Sequence, residues 1–480
     1  GELSTALYRE RYDIAIADRN FGLAGYLARS LDNHARSEVK RWKQARNAPQ
    51  ALIEAALETP AAKLQSEQIL YALERLSYRD PDRTHRYWSE LKPRLKATRQ
   101  QQHALERRIA LWAVRRDSDQ ATTRVNELPR GVADQELRTW QLRSLLKAQQ
   151  WASVVQHIEA LPKDERNEEV WQYWLGYAYQ QLGERDLAVQ SLRDLSRQRS
   201  YYGFLAADTL KSDYSFEHQS IERDAKLIER LRNHSALVRA NELFQVGQDG
   251  KGRSEWNEAV AELNRREQQQ AALLAHELGW HSRAIALAAA TGHFNDLEVR
   301  YPLPYRPSFE KYTAKANIRD SWAYGIARSE SVFMRDIRSS AGAVGLMQLM
   351  PETGKRTAKS LRTPYRGVST LIQPERNIHL GTAYLGQMYQ RFDNNAVLAT
   401  AAYNAGPGNV SRWLNRTSNV DARIWIENIP FNETRKYVRR VLEADTVFHW
   451  RLTGEQLRIS QSLPRIIGRA AEDSDKIASR

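Results

Sequence analysis

Cysteine is absent from this 480-residue chain, which excludes disulfides, thiolate nucleophiles and cysteine metal sites. Long apolar runs are also missing. Stretches such as Ala284–Ala290 are far shorter than the ~18 residues that a membrane-spanning helix needs, so we expect no transmembrane segment. We likewise expect no signal peptide and a processed or shortened N-terminus, because the first residue is Gly1. A chain of this length is too long for one hydrophobic core, and we expect two to four domains.

Positive charge is concentrated near the C-terminal end. The whole chain has a formal net charge of +14. Residues 301–480 contain 27 Lys and Arg against 16 Asp and Glu, whereas residues 1–300 are almost balanced, with 45 against 42. A basic surface of this size attracts polyanions such as nucleic acid, anionic lipid or a cell-wall polymer with free carboxylates. Charge alone does not choose among them.

Residues 1–215 have the composition of a helical repeat. Gly and Pro are scarce, and Ala and Leu recur every three to four residues between Arg, Gln and Glu, which is typical of helices. Breaks separate segments long enough for one or two helices. They lie at Thr59-Pro60, Asp80-Pro81, Leu128-Pro129 and Leu161-Pro162. We therefore predict stacked helical hairpins, forming a degenerate α-solenoid.

One hairpin has an explicit pattern. Leu175, Gly176 and Tyr179, followed by Ala188 and Leu192, have the spacing of a tetratricopeptide-type unit, in which small side chains let two helices approach closely. Tryptophans also recur, and we interpret them mainly as core filling between hairpins, with sugar-stacking platforms as the alternative. They are Trp42, Trp88, Trp112, Trp140, Trp151, Trp171 and Trp174.

Residues 216–300 are predicted to form a second helical domain, a linker domain, with a polar interruption at residues 247–252. His276 and His281 within it are five residues apart, so on one helix they would diverge, and we expect no metal site. The segment 301–307 contains three prolines and is predicted to be a non-helical linker. A third domain, residues 301–480, is expected to start there.

Three short blocks in this last part combine polar anchors with little charge. They are Ala-Arg-Ser-Glu-Ser at 327–331, Gly-Leu-Met-Gln-Leu-Met-Pro at 345–351 and Ala-Ala-Tyr-Asn-Ala-Gly-Pro-Gly at 401–408. Helical periodicity runs from about Ile318 to near Phe333, which places Glu330 at the end of an apolar helix. Reduced access to water raises the pKa of such a carboxyl group. The sequence thus predicts a carboxyl group able to act as a general acid.

Two further polar groups accompany this acid. Gln348 is the single amide of an apolar segment, and either a sugar acetamido group or the local backbone can satisfy it. Tyr403 precedes a Gly-Pro-Gly turn at the end of an Ala-rich helix that begins near Asn395. It is placed to bond either a substrate or Glu330. On its own, a Glu at a helix end would be interpreted as a surface residue. The blocks that contain Gln348 and Tyr403 favour the general-acid interpretation of Glu330 instead.

In this order the blocks resemble the catalytic domain of soluble lytic transglycosylases, enzymes with a goose-lysozyme-like fold that cut the glycan strands of bacterial peptidoglycan. A later block, residues 429–438, matches the family pattern Ile-Pro-x-x-Glu-Thr-Arg-x-Tyr-Val. Residues 201–207 resemble a segment that follows the solenoid in this family. The resemblance implies an all-α fold, with a solenoid, a small helical linker domain and a lysozyme-like, mainly helical catalytic domain.

The resemblance also implies roles for particular residues. It implies Glu330 as the single catalytic residue, Gln348, Tyr403 and Asn404 as substrate-orienting groups, Ser339 and Met350 as cleft-lining residues, and Glu433 near the site. For Glu433 a structural partnership with Arg435 or a neighbouring backbone group is the alternative.

The activity implied is cleavage of the β-1,4 bond between N-acetylmuramic acid and N-acetylglucosamine, with 1,6-anhydro ends as products and Glu330 acting first as acid and then as base. We expect no cofactor, a periplasmic location, peptidoglycan glycan strands as substrate and protein partners through the solenoid. Two alternatives stay open, a hydrolytic muramidase and a non-catalytic solenoid scaffold with a glycan-binding domain. Nucleic-acid binding is not expected, since no helix-turn-helix, RNA-binding aromatic motif or zinc finger is recognisable.

Overall fold

The structure, a computed structural model, describes residues 4–468 except 416 and 418. Within these residues the regular secondary structure is helical, and extended pairing is limited to isolated bridges between Arg338 and Val344, Val344 and Leu349, and Val420 and Ile466. The predicted all-α fold is confirmed. In the described part of the chain, no helix has both the length and the apolar character needed to cross a bilayer.

The backbone groups into two compact units, Gly1–Gln149 and Gln150–Arg480. The helices of the first unit are α1 (Thr5–Ala17), α2 (Phe21–Leu27), α3 (Asn33–Asn47), α4 (Pro49–Glu58), α5 (Ser66–Ser77), α6 (Pro81–Leu91), α7 (Arg99–Arg115), α8 (Ala121–Asn126) and α9 (Gln135–Lys147), with short 3₁₀ turns at Ala28–Ser30, Ala61–Lys63 and Lys92–Arg94. Each helix packs mainly on helices one or two places away in the chain, as in a solenoid.

The second unit continues with helical hairpins and then changes character. Its first helices are α10 (Trp151–Glu159), α11 (Lys163–Arg166), α12 (Glu169–Leu182), α13 (Arg185–Leu192) and α14 (Tyr201–Leu210), with a 3₁₀ turn at Leu195–Arg197. A compact group follows, consisting of α15 (Ala225–Arg232), α16 (Ser235–Gln245), α17 (Asp249–Ala261), α18 (Arg265–Glu277), α19 (His281–Ala290) and α20 (Leu297–Arg300). This group shares a core around the buried Trp256 and Trp280.

The last group of helices carries the sequence blocks described above. It comprises α21 (Arg306–Ala316), α22 (Asp320–Ser331), α23 (Pro351–Ser360), α24 (Val368–Leu371), α25 (Pro374–Arg391), α26 (Ala396–Ala405), α27 (Pro407–Leu414), α28 (Ala422–Glu427) and α29 (Asn432–Thr453), with a 3₁₀ turn at Ile459–Ser462. The three-domain division at 1–215, 216–300 and 301–480 stays a prediction, and its last part includes residues 469–480, which lie outside the described residues.

The helix breaks and the repeat hairpin follow the sequence prediction. All four predicted breaks fall between helices, and at one of them the Asp80 side chain accepts a hydrogen bond from Arg83 N at 2.9 Å, which caps α6. In the α12–α13 hairpin, a Cβ on Gly176 would lie 2.4 Å from Leu192 Cγ. The small residue therefore allows the close approach that the pattern predicted.

The tryptophans of the repeat region mostly fill the core. Five of the seven are buried, namely Trp42, Trp88, Trp140, Trp171 and Trp174, which confirms the core-filling interpretation for them. The other two are half-buried and pack edge-on against tyrosines: Trp112 on Tyr78 and Trp151 on Tyr177.

Two predicted interruptions are shorter than the sequence suggested. Helix α17 begins at Asp249, so the polar break covers only residues 246–248. Gly252 lies inside the helix. A Cβ there would be 3.1 Å from Ala240 O and from the Phe244 ring, so the absence of a side chain lets α16 and α17 pack closely. Helix α21 begins at Arg306 with Pro307 in its first turn. Backbone N–H groups in the first turn have no acceptor within the helix, so proline removes no helical hydrogen bond there. The predicted linker therefore ends at Tyr305.

Helix α22 is the central element of the last group, and it packs along α29. A Cβ on Gly325 would lie 3.1 Å from Val441 O, so the absence of a side chain sets the close spacing of the two backbones. At the start of α22 the buried Asp445 of α29 accepts hydrogen bonds from Ser321 Oγ at 2.6 Å and from Arg319 Nη2 at 2.5 Å. These contacts fix the helix that ends in Glu330.

A buried polar network joins α14 to α28 and α29. The Tyr202 hydroxyl donates to Glu427 Oε1 and accepts from Arg439 Nη1, and Arg439 lies 3.5 Å from the same carboxylate, which is 1% exposed. The neighbouring Tyr201 is also buried, but its hydroxyl has no hydrogen-bond partner among the described residues. The two adjacent tyrosines therefore differ in polar contacts and not in burial.

We expect Tyr202→Phe to lower the free energy of unfolding by about 1–3 kcal/mol, because it removes a donor from a buried carboxylate. Tyr201→Phe is the matched control and is expected to be neutral or slightly stabilising, since its hydroxyl is buried without a partner. Denaturant-induced unfolding of both variants measures the difference. Equal losses in the two variants would contradict the network.

Candidate active site

The backbone turns sharply one residue beyond Glu330, after Ser331. Helix α22 ends at Ser331, and the next two residues, Val332 and Phe333, adopt left-handed conformations with φ of 51° and 63°. A β-branched residue in this region is strained, at a cost of about 1–3 kcal/mol, and such strain persists only where the surroundings enforce it. The turn directs the chain away from the helix axis and leaves the carboxyl group at the helix end.

Glu330 is half-buried and accepts a hydrogen bond from Tyr437. The Tyr437 hydroxyl lies 2.6 Å from Glu330 Oε1, and its ring, in the second turn of α29, is 2% exposed. Burial raises the pKa of Glu330 from 4.5 to about 7. The Tyr437 hydrogen bond and the charge of Arg440 oppose this rise, while the charge of Glu433 adds to it. The carboxyl group can therefore give up or accept a proton near neutral pH.

Tyr403, at the end of α26, lies near the same carboxyl group. Burial raises the pKa of Tyr403, and the negative charge of Glu330 raises it further. Its hydroxyl, however, donates to Met347 O at 2.7 Å. The phenol bonded to Glu330 is therefore Tyr437 and not Tyr403, and a contact between Tyr403 and the substrate stays a prediction. Tyr403 instead ties α26 to the turn that carries Gln348.

Gln348 uses its amide hydrogens on the backbone. Its Nε2 donates to Gly345 O at 2.9 Å and to Ile337 O at 3.1 Å, so the local-backbone interpretation holds for the donor side of the amide. Within the described residues its Oε1 accepts no hydrogen bond from the protein. The side chain is half-buried, and this oxygen is the polar atom that it offers to a ligand.

The turn around Gln348 is held by Asn377, which is fully buried on α25. Asn377 Oδ1 accepts from Met347 N at 2.7 Å, and its Nδ2 donates to Val344 O and Leu371 O at 3.0 and 2.8 Å. Gly345 has a φ of 82°, and a Cβ there would lie 2.3 Å from Asn377 Nδ2. Only glycine fits this position.

Asn404 and Glu433 border an open cavity of about 500 Å³. Thr434 Oγ1 donates to Asn404 Oδ1 at 2.7 Å, which joins the end of α26 to the start of α29. Glu433, the preceding residue, is exposed and close enough to Glu330 to raise its pKa. The cavity is lined by Asn404, Ala405, Pro430, Phe431, Asn432, Glu433 and Thr434.

Ser339 and Met350 lie at the two ends of the segment that contains Gln348, and both are exposed. Ser339 Oγ accepts a hydrogen bond from Ala343 N at 3.0 Å. The Met350 side chain is 43% exposed at the start of α23. The structure thus places both on the surface beside the Gln348 turn, and their part in a cleft stays a prediction.

The histidine pair differs from the expectation. His276 and His281 lie on different helices, because α18 ends at Glu277, and their rings are in edge-on contact with centroids 5.5 Å apart. The predicted divergence along one helix is therefore wrong. Burial lowers the pKa of both rings, that of His281 to about 4. No group of three or more potential metal-ligating side chains occurs in the part of the chain that the structure describes.

Comparisons with known proteins agree with this architecture. A family model for the transglycosylase SLT domain matches residues 307–426, and a model for the soluble lytic murein transglycosylase L domain matches residues 230–297. The lytic transglycosylase Slt of Pseudomonas aeruginosa, solved as an inactive mutant, superposes with a TM-score of 0.82 at 30% identity, over 95% of this chain and 74% of that one. The chain belongs to the soluble lytic transglycosylases.

Two further comparisons show how much of a relative this chain represents. The 70-kDa soluble lytic transglycosylase of Escherichia coli superposes with a TM-score of 0.80 at 27% identity, over 97% of this chain and 75% of that one. The soluble lytic murein transglycosylase of Salmonella typhimurium is 36% identical over 307 residues, which is 64% of this chain and 47% of the relative. The chain spans about half the length of that curated relative.

Sequence reasoning missed two residues of the candidate site, Tyr437 and Asn377. Tyr437 lies inside the block at 429–438, where only Glu433 was singled out, and the pattern itself was the available signal. The range matched by the SLT model ends before this block. Asn377 carries no local signal, since it is one of three side-chain amides on the amphipathic helix α25 and belongs to no motif.

The raised pKa of Glu330 predicts a pH-dependent stability. Because the folded state holds this proton more tightly than the unfolded state, the group stabilises the fold most below pH 4.5. That contribution is lost as the pH rises through about 7. We expect the wild-type protein to lose on the order of 2 kcal/mol between pH 4.5 and 7.5 relative to Glu330→Gln. Unfolding free energies across this range measure the difference. The exposed Glu455 supplies the control, and a Glu455→Gln curve that diverges equally would refute the assignment.

Proposed function

We propose that this chain is a peptidoglycan lytic transglycosylase, a carbon-oxygen lyase that cleaves the β-1,4 bond between N-acetylmuramic acid and N-acetylglucosamine and leaves 1,6-anhydromuramic ends. The observation that carries the proposal is the half-buried Glu330, with its pKa near 7 and its hydrogen bond from Tyr437. Membership of the soluble lytic transglycosylases supplies the substrate class.

In this proposal Glu330 acts twice. As the neutral acid it donates its proton to the glycosidic oxygen, and the bond from that oxygen to C1 of the muramic residue breaks. The resulting carboxylate then removes the proton from the C6 hydroxyl, whose oxygen attacks C1 and closes the anhydro ring. A pKa close to the working pH suits both steps, because neither protonation state is strongly favoured. The Tyr437 hydroxyl stabilises the carboxylate formed between the steps.

Several other side chains are proposed to orient the glycan strand. Gln348 Oε1 can accept a hydrogen bond from an acetamido or hydroxyl group, and Asn404 and Glu433 border the cavity beside the acid. Tyr403 is proposed to act here through the Met347 carbonyl that it holds. Ser339 and Met350 are proposed to line the cleft on the other side of the Gln348 turn. The excess of Lys and Arg in residues 301–480 favours a polymer with free carboxylates, and the proposed location is the periplasm.

A hydrolytic muramidase is the second candidate, and Glu433 is the observation that favours it. Glycosidases that use water pair their acid with a second carboxylate on the other side of the bond. Glu433 is an exposed carboxylate at the cavity and lies near enough to influence Glu330. In the transglycosylase mechanism Glu433 has no direct part in proton transfer, so the two candidates assign it different roles.

Glu330→Gln is expected to reduce the rate of cleavage ~10²–10⁴-fold or more, because the substitution removes the acidic proton while keeping the shape of the side chain. Release of soluble muropeptides from purified sacculi measures the rate, and circular dichroism checks the fold. Glu433→Gln serves as the comparison, and the transglycosylase mechanism predicts that it retains more than about a tenth of the activity, since no proton transfer depends on it. Equal, near-complete losses in both variants would favour a two-carboxylate hydrolase.

The products distinguish the two mechanisms independently. Transglycosylation consumes no water, so we expect anhydromuropeptides that are lighter than hydrolysed products by one water molecule. Mass spectrometry of a digest in ¹⁸O-labelled water measures this directly. Heavy oxygen at the new reducing ends would establish the muramidase instead.

A further inference from the structure

Two ion pairs join helix α17 to the chain that follows Glu330. Arg335 donates to Asp249 in bidentate fashion, with Nε to Oδ2 and Nη2 to Oδ1 both at 2.7 Å. Arg253 donates to Asp336 in the same way, with Nη1 to Oδ1 at 2.9 Å and Nη2 to Oδ2 at 2.8 Å. Each paired arginine and carboxylate thus makes two parallel hydrogen bonds, a geometry that fixes orientation as well as distance.

The four residues form a matched set. Asp249 and Arg253 are four residues apart on α17, so they lie on one face of the helix. Arg335 and Asp336 are adjacent in the turn, and the order of charge is reversed. The Asp249 carboxylate is 9% exposed, so solvent screening of this pair is limited. We call these two pairs the α17 clamp.

The clamped turn lies between the proposed acid and the Gln348 amide. Before it come Val332 and Phe333, whose left-handed conformations need external support. After it comes Ile337, whose carbonyl accepts hydrogen bonds from Gly345 N at 3.0 Å and from Gln348 Nε2 at 3.1 Å. A shift of residues 335–336 would therefore be felt at both functional side chains.

We propose that Asp249 and Arg253 are positioning residues for the reaction at Glu330. They touch neither the carboxyl group nor the cavity, and they act through Arg335 and Asp336 on the turn that connects Glu330 to Gln348. Both lie within the range matched by the L-domain model, so this part of the chain is assigned a role in catalysis. The inference rests on the proposed function above.

The contacts of the clamp differ from those that merely hold the helices together. Arg328 Nε bonds Arg300 O at 2.9 Å, and Tyr324 Oη bonds Pro304 O at 2.9 Å. These bonds attach the body of α22 to the last residue of α20 and to the segment that follows it, and they do not involve the turn. Loss of the clamp is therefore expected to free the turn while the helices stay packed.

The test compares Asp249→Asn and Arg253→Lys with a control on the same helix. Asp249→Asn removes the charge with little change of shape, and Arg253→Lys keeps the charge but loses the bidentate geometry. Glu255→Gln is the control, because Glu255 pairs with Arg239 at 3.1 Å and, among the described residues, makes no hydrogen bond or ion pair with the turn. All variants are made in the full chain.

We expect both clamp variants to lower kcat on soluble peptidoglycan strands by about 10- to 100-fold, the loss typical of a small misplacement of reacting groups. KM should change less than kcat, since Gln348 shares the turn but the residues that line the cavity are untouched. The alkaline limb of the pH–rate profile should shift to a different pH, because the surroundings of Glu330 change. The exchanged pair Arg253→Asp with Asp336→Arg should recover part of the lost kcat, whereas Glu255→Gln should behave as wild type.

Hydrogen exchange of the backbone amides in residues 331–349 provides a readout that does not depend on activity. We expect faster exchange there in the clamp variants, with unchanged exchange in α25 and α29. The proposal would be overturned if Asp249→Asn and Arg253→Lys kept the wild-type kcat, pH profile and exchange rates. A lowered melting temperature as the only change in these variants would also overturn it. If the wild-type protein itself releases no muropeptides, the proposed function fails, and the exchange data still decide whether the clamp holds the turn.

Discussion

The proton on Glu330 depends on how little water reaches the end of helix α22. The carboxyl group is half-buried because α22 lies against α29, and the two backbones can approach so closely only because residue 325 is glycine. The same packing places the Tyr437 hydroxyl on the carboxylate. Burial favours the neutral acid and the phenol favours the anion, and the balance of the two effects sets a pKa near 7.

Around this acid, one turn of the backbone is held by contacts from several elements. The turn of residues 344–349 is fixed at separate points by Ile337, Asn377 and Tyr403, each of which bonds at least one main-chain atom of the turn. A turn fixed in this way presents the side-chain oxygen Oε1 of Gln348 in a defined direction before any ligand binds. Preorganised polar groups of this kind lose little conformational freedom on binding.

The sequence predicted well what depends on local chemistry. Glu330 at a helix end, the termination of α26 before Gly406 and the close approach at Gly176 all follow from nearby residues, and the structure agrees with each. It predicted poorly what depends on distant partners. Tyr437 lies 107 residues from Glu330 in the chain, and Arg335 lies 86 residues from Asp249. No spacing rule connects such pairs.

The wrong predictions have a similar cause. The spacing of His276 and His281 predicts two rings that diverge on one helix, but α18 ends at Glu277 and α19 brings the second ring back to the first. The polar segment 247–252 predicts an interruption, whereas residues 249–252 lie inside α17. Their place inside α17 depends on the closeness of α16, which is a tertiary contact.

The Tyr202–Glu427 hydrogen bond links residues 225 positions apart, and this has a consequence for the order of events during synthesis. A chain leaves the ribosome from its N-terminus, so α14 emerges long before the acceptor that satisfies its phenol. The early helical hairpins can fold as they appear, because their contacts are local. The second unit cannot complete its core until the last helices have been translated, and until then α14 exposes an aromatic, apolar surface of the kind that chaperones bind.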